Sequence, residues 1–175
     1  MNTLAIDQSL TETGYWISNE INGIIKSKLK GQIERIANIR DVIRRIVEAS
    51  FINVIVMEGY SFGSSGQFTF TAGELGGAIK LFCYDNKINL IVIPPTLLKK
   101  FVCGKGNVKK EQMLLQIYKK YGKEFDNNNT ADAFGLYKYY EAYCKWLLQE
   151  KTEDGFNKND VECFKKLDSL TQDKE

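Results

Sequence analysis

Residues 4–16 read LAIDQSLTETGYW: a short apolar run ending on an acid, Asp7, then a polar turn, then Gly14 and two aromatics. The pattern predicts a hairpin, with one strand over residues 3–7 and the next over residues 13–18. A carboxylate at the end of a buried strand is expensive unless something pairs with it or binds to it. Asp7 therefore needs a partner from elsewhere in the chain.

Outward from the hairpin, INGIIKSKLK (21–30) alternates well enough for a third, more exposed strand. In QIERIANIRDVIRRIVEAS (32–50) the period changes, and Ile33, Ile36, Ile39, Ile43, Ile46 and Val47 fall on one helical stripe. INVIVME (52–58) is a β-branched run that predicts a strand buried on both faces, ending on Glu58. GYSFGSSGQFTFT (59–71) fits neither period and reads as a loop. AGELGGAIKLFCYDN (72–86) reads as a helix whose Gly73, Gly76 and Gly77 point to the close approach of another element.

INLIVIPP (88–95) predicts another buried strand, stopped by Pro94 and Pro95. GNVKKEQMLLQIYKKYG (106–122) predicts an amphipathic helix with Asn107 as N-cap and Met113, Leu114, Ile117, Tyr118 and Tyr121 inward. DNNNTADAFGLYKYYEAYCKWLL (126–148) starts as a polar turn and becomes a long helix. Residues 149–175 are polar and acidic and read as a loosely attached tail. Three strands, helix, strand, helix, strand, helices: the order predicts a mixed β-sheet flanked by helices, in the α/β class.

Composition narrows the chemistry. No run approaches the roughly 20 apolar residues of a membrane span, and the start lacks a signal-peptide layout, so no membrane partner and a cytoplasmic location are expected. The chain has no histidine, which removes His-based general bases and the Ser-His-Asp triad. Its four cysteines, Cys83, Cys103, Cys144 and Cys163, lie far apart and read as reduced apolar residues rather than a zinc site. Carboxylates, lysines and metal ions are left to carry any catalysis.

The charge is unevenly placed. Residues 99–123 hold eight lysines against one acid, Glu111, whereas residues 149–175 hold five lysines against eight acids. A basic stretch within a chain of net charge +2 attracts a polyanion, although such runs also serve as solvated helix faces.

Two strands thus end on acids, Asp7 and Glu58, and a third acid, Asp132, begins the long helix. In an α/β sheet, sites form beyond strand ends, so the three could meet there. Together they would repel unless a cation sat among them, and oxygen-only ligands suit Mg²⁺ or Mn²⁺. Each acid also has a purely structural reading. Asp7 could serve its turn with Ser9 and Thr11, Asp132 could follow a cap at Asn129, and Glu58 could be an exposed strand end.

These residues resemble the RuvC-type Holliday junction resolvases of the ribonuclease H-like superfamily, over roughly residues 4–140. AIDQSLTETGY resembles the family's opening strand and turn, VIVMEGYSF its second acidic strand, and AGELGGAIK its Gly-rich helix. PPTLLKKFVCGKGNVKKEQM keeps a proline, a lysine four residues on, a Gly-x-Gly and a lysine before a Gln-bearing helix. NNTADAF is similar to the closing Asp-x-x-Asp-Ala motif, with Asn129 in place of the first acid.

The resemblance implies a ribonuclease H-like nuclease domain over residues 1–148. It implies Asp7, Glu58 and Asp132, with help from Asn129, as ligands of two Mg²⁺ ions roughly 4 Å apart, with Mn²⁺ able to substitute. Asn129 brings no charge, and Asp126 is an alternative donor one turn earlier. Lys110 would offset charge on the phosphate, Lys99, Lys105 and Lys109 would hold DNA backbone, and Tyr60 or Phe62 would open the junction. The implied partners are branched DNA, four-way junctions above all, and a second copy in a two-fold homodimer whose face includes residues 72–86. Two other activities stay open: a junction-binding protein with weak catalysis, and a related nuclease acting on RNA or hybrids.

Overall fold

The structure, a computed structural model, describes residues 1–59 and 67–172. One mixed sheet has the strand order β3-β2-β1-β4-β5. β1 (Thr3–Asp7) pairs antiparallel with β2 (Thr13–Ile17), and β2 pairs antiparallel with β3 (Asn22–Ile25). On its other side β1 pairs parallel with β4 (Val54–Glu58), which pairs parallel with β5 (Asn89–Ile93). The flanking helices are α1 (Gln32–Ser50), α2 (Gln67–Asp85), α3 (Pro95–Cys103), α4 (Lys110–Tyr121), α5 (Asn128–Leu148) and α6 (Lys158–Gln172). This is the helix-flanked mixed sheet that the element order and the resemblance imply.

Alternation along each strand sorts the core into two layers. Leu4, Ile6, Ile55 and Met57 face α1 and α2, where they meet Ile36, Ile39, Ile43, Leu75 and Ile79. Ala5, Val54 and Val56 face the other way, into a layer with Phe101 of α3, Ile117 of α4, Phe134 and Tyr139 of α5, and Phe164 of α6. Burying each of the valine, leucine, isoleucine, methionine and phenylalanine side chains stabilises the fold by about 1.5–3 kcal/mol relative to leaving it in water.

Several expectations give way here. β5 is an edge strand, and most of its residues are half-buried rather than enclosed. Ile33 is 70% exposed and lies off the buried stripe of α1, and Tyr118 is 50% exposed, so α4 buries only Met113 and Ile117. Gly73 and Gly77 of α2 do not mark a tight contact, because among the described residues a Cβ at either would meet nothing within 4 Å, whereas Gly76 is buried. α2 also begins inside the segment read as a loop.

Pro94 and Pro95 do more than stop a strand. Pro95 sits at the start of α3, where a missing N–H costs nothing. Gly104, at φ 77°, ends that helix, and α4 waits until Lys110, with Lys109 and not Asn107 at its N-cap. The acidic segment after Leu148 is not loose: α6 buries Val161, Cys163, Phe164 and Leu167.

Candidate active site

Asp7 and Glu58 follow directly from strand geometry. Asp7 shares its side of β1 with Ala5, and Glu58 shares its side of β4 with Val54 and Val56, so both face α5. The parallel register aligns Ile6 with Met57, which leaves Asp7 and Glu58 as the next residues on adjacent strands. Their carboxyls are close enough to shift each other's titration.

α5 brings the third acid. The Asn127 side chain caps it, accepting from the backbone N–H of Asn129 at 2.8 Å and of Thr130 at 3.3 Å. Asp132 therefore stands in the second turn rather than the first, and Asn129 is not the cap. The close approach of α5 to β2 depends on Gly14, where a Cβ would lie 2.2 Å from the backbone of Asn129. Asn129 donates its amide to the Glu12 carbonyl at 2.6 Å, and the Glu12 carboxylate accepts from Asn127 at 3.1 Å and pairs with Lys26 at 2.6 Å. Asn129 thus reaches toward the β1–β2 turn, and its side-chain hydrogen bond goes there rather than to the three acids.

Glu12 and Asn127 escaped sequence reading. Three consecutive asparagines make the capping residue ambiguous, and the bond from Glu12 to the start of α5 has no local signal, because its asparagine partners lie over a hundred residues away. Gln8 is a further unforeseen support, donating its side-chain amide to the Glu58 carbonyl at 3.2 Å.

Lys99 and Lys110 act on the carboxylates. Both lower the pKa of Glu58 and Asp132, and Lys110 also lowers that of Asp7. Lys110 occupies the first position of α4 behind Lys109, two cations where the helix dipole favours an acid and no side chain caps the end. A local rule broken in this way is common where a site needs the charge. Lys105 and Lys109 are exposed on the α3–α4 connection. Asp126 lies on a separate groove with Trp16 and Phe125, away from the acids. Tyr60 and Phe62 lie outside the described residues.

Burial and mutual repulsion dominate the electrostatics. Burial first, then the charges of Glu58 and Asp132, pushes Asp7 well above the carboxylate range. Burial and Asp132 raise Glu58 to about 7, and burial raises Asp132 to about 6 against the pull of Lys110 and Lys99. Among the described residues, no three Asp, Glu, Cys or His side chains encircle one point closely enough to fix an ion by themselves. The donor chemistry nonetheless fits a hard divalent cation. The three acids offer only carboxylate oxygens, and the burial and repulsion that raise Asp7 and Glu58 are what a cation would relieve.

Comparison with known proteins agrees with this arrangement. Residues 3–136 match the family described as crossover junction endodeoxyribonuclease RuvC. A relative of that name from Caldicellulosiruptor saccharolyticus is 27% identical over 126 residues, 65% of this chain and 74% of the relative. One from Sulfurovum sp. is 26% identical over 146 residues, 78% of this chain and 92% of the relative. RuvC of Thermus thermophilus superposes with a TM-score of 0.67 at 16% identity, covering 86% of this chain and 98% of that one. The same protein in complex with a Holliday junction gives 0.66 at 18% identity, covering 78% and 90%.

Among the described residues no helix is long and apolar enough to cross a membrane. A divalent metal is the cofactor that goes with this kinship. With the whole sheet, the three acids and the start of the long helix inside the matched span, the chain belongs to the crossover junction endodeoxyribonuclease RuvC family.

Proposed function

We propose that the chain is an endonuclease that resolves four-way junctions and related branched DNA, acting in the cytoplasm. The observation that carries this reading is the meeting of Asp7, Glu58 and Asp132 with Lys99 and Lys110 at one end of the sheet. Asp7, Glu58 and Asp132 would hold the divalent metal, Mg²⁺ by preference with Mn²⁺ able to replace it. When bound, such a metal makes water a better nucleophile and neutralises charge on the phosphodiester.

The chain's own residues do the rest. Asp7 and Glu58, both raised by burial, would have to be deprotonated to hold the cation, so the site would be competent in its deprotonated form. Lys110 places positive charge where the phosphate gains negative charge, and Lys99 stands beside it. Lys105 and Lys109 hold backbone phosphates further along, and Tyr60 or Phe62 opens the junction. Asn129 can add one neutral oxygen, because its nitrogen is committed to Glu12.

We take residues 1–148 as the nuclease unit, with the acidic segment from residue 149 braced on it through α6. A two-fold homodimer would present two such sites to one junction. The exposed Phe70, Leu81 and Tyr84 of α2 and the exposed Ile33 of α1 support a dimer face there.

The engaged amide of Asn129 favours one second reading, a junction-binding protein with weak catalysis. Asn129→Asp separates the two: a large gain in cleavage at unchanged binding favours the second. For the first, a labelled junction is set in competition with linear duplex and with RNA–DNA hybrid. Preferential cleavage of the junction is expected, and equal or better cleavage of the hybrid contradicts the resolvase reading.

A further inference from the structure

Between the β1–β2 turn and the first turns of α1 and α2 lies a cavity of about 490 Å³, lined among others by Gln8, Ser9, Thr11, Lys30, Arg35 and Ala72. It lies at the same end of the sheet as the carboxylates but on the α1 side, where Gln8 follows Asp7 and donates its side-chain amide to the Glu58 backbone carbonyl. Its charge is cationic. Lys30 is exposed and Arg35 half-buried, and among the described residues neither forms an ion pair. Glu74, near the rim, is engaged by Gln32.

Two polar atoms in the lining are unmatched. Arg35 donates from a terminal nitrogen to the Leu10 carbonyl, which fixes the turn, but its Nε is buried without a partner. Oε1 of Gln8 is also buried without a partner. An unmade donor and an unmade acceptor are a cost that a ligand removes if it supplies both complements and the side chains turn toward it. A nucleotide supplies both. Its phosphate oxygens accept from Lys30 and Arg35, with the Ser9 and Thr11 hydroxyls alongside, and a base N–H donates to Gln8. The volume is within the range of ordinary ligand pockets.

We infer that this cavity binds one nucleotide of the DNA strand, beside the phosphate being cut. The inference rests on the nuclease reading above. Lys99 and Lys110 come from the α3–α4 side of the sheet and Lys30 and Arg35 from the α1 side, so the strand is gripped from both layers. The cavity gives the site a direction along the strand that the three carboxylates alone do not specify.

The test uses the full chain in EDTA, with junction affinity followed by fluorescence anisotropy across a salt titration. Lys30→Gln is expected to weaken binding several-fold and to lower the magnitude of the salt slope by about 1. Arg35→Lys, which keeps the charge but loses the fork, is expected to weaken binding with the slope retained. Lys87→Gln, at the opposite end of the sheet, is expected to change neither. A deoxynucleoside monophosphate is expected to shift the Gln8 side-chain amide resonance in the wild type and not in Lys30→Gln. A wild type that nicks junctions in Mg²⁺ while both cavity variants bind as it does, or a Gln8 amide that stays still, overturns the cavity. A wild type that shows these shifts but nicks no junction when Mg²⁺ is supplied leaves the cavity standing and removes the resolvase reading.

Discussion

Asp7 carries a structural cost in order to be useful. Buried, and facing Glu58 and Asp132, it is a carboxyl that the folded chain prefers to keep protonated. Asp7→Asn keeps the shape and removes the charge. It is expected to cut nicking by about 10³-fold or more, a loss of about 4 kcal/mol in transition-state stabilisation, while raising the melting temperature in EDTA at alkaline pH. The pH dependence follows from the same crowding. Glu58 lies at about 7 and Asp132 at about 6, above their ordinary 4.5 and 3.8. The folded chain thus holds protons that the unfolded chain releases. This stabilising contribution is full below the unfolded values and is lost as pH rises through the folded ones. Thermal melts in EDTA are expected to weaken by on the order of 2 kcal/mol between about pH 5 and about pH 8, and Mg²⁺ to restore most at the alkaline end. EDTA melts that strengthen over that window would contradict the assignment.

At the scale of the element, the start of α5 decides where Asp132 stands. Gly14→Ala sets a Cβ against the Asn129 backbone of that helix. It is expected to cost about 2–4 kcal/mol in chemical denaturation and to lower metal affinity in the same variant. Asn127→Ala removes two cap bonds and is expected to cost about 1 kcal/mol. The strands ending on acids were legible in the sequence, because a short β-branched run has one reading and the parity of its last residue follows from it. Helix boundaries were not. The start of α4 breaks capping preference at Lys109 and Lys110, and three asparagines in a row hide which one caps α5. The edge position of β5 was hidden too, since its composition matches that of the central β4 and only pairing distinguishes them.

Across the whole molecule the sheet divides two cores, and the basic stretch divides with it. Lys100 pairs with Glu162 of α6 at 2.8 Å and Lys120 stands 3.8 Å from Asp160, so part of that positive charge is spent inside the protein. Lys99 and Lys110 turn instead to the acids. Low hydrophobicity hid the docking of α6, although Val161, Phe164 and Leu167 recur at helical spacing and Phe164 meets Phe101, Tyr139 and Trp146. Phe164→Ala is expected to cost about 3–5 kcal/mol in denaturant unfolding, and a chain ending at Leu148 to aggregate. The convergence of the three acids, by contrast, was legible from spacing and resemblance alone, whereas the supports of Glu12, Asn127 and Gln8 emerge only in three dimensions. The most direct measurement is cleavage of a labelled four-way junction in Mg²⁺ by the wild type and by Asp7→Asn. Paired symmetric nicks that disappear in the variant while junction binding persists are the expected result. Nicking that survives Asp7→Asn, or a wild type that binds the junction and leaves it intact in both Mg²⁺ and Mn²⁺, would contradict a metal-assisted carboxylate centre.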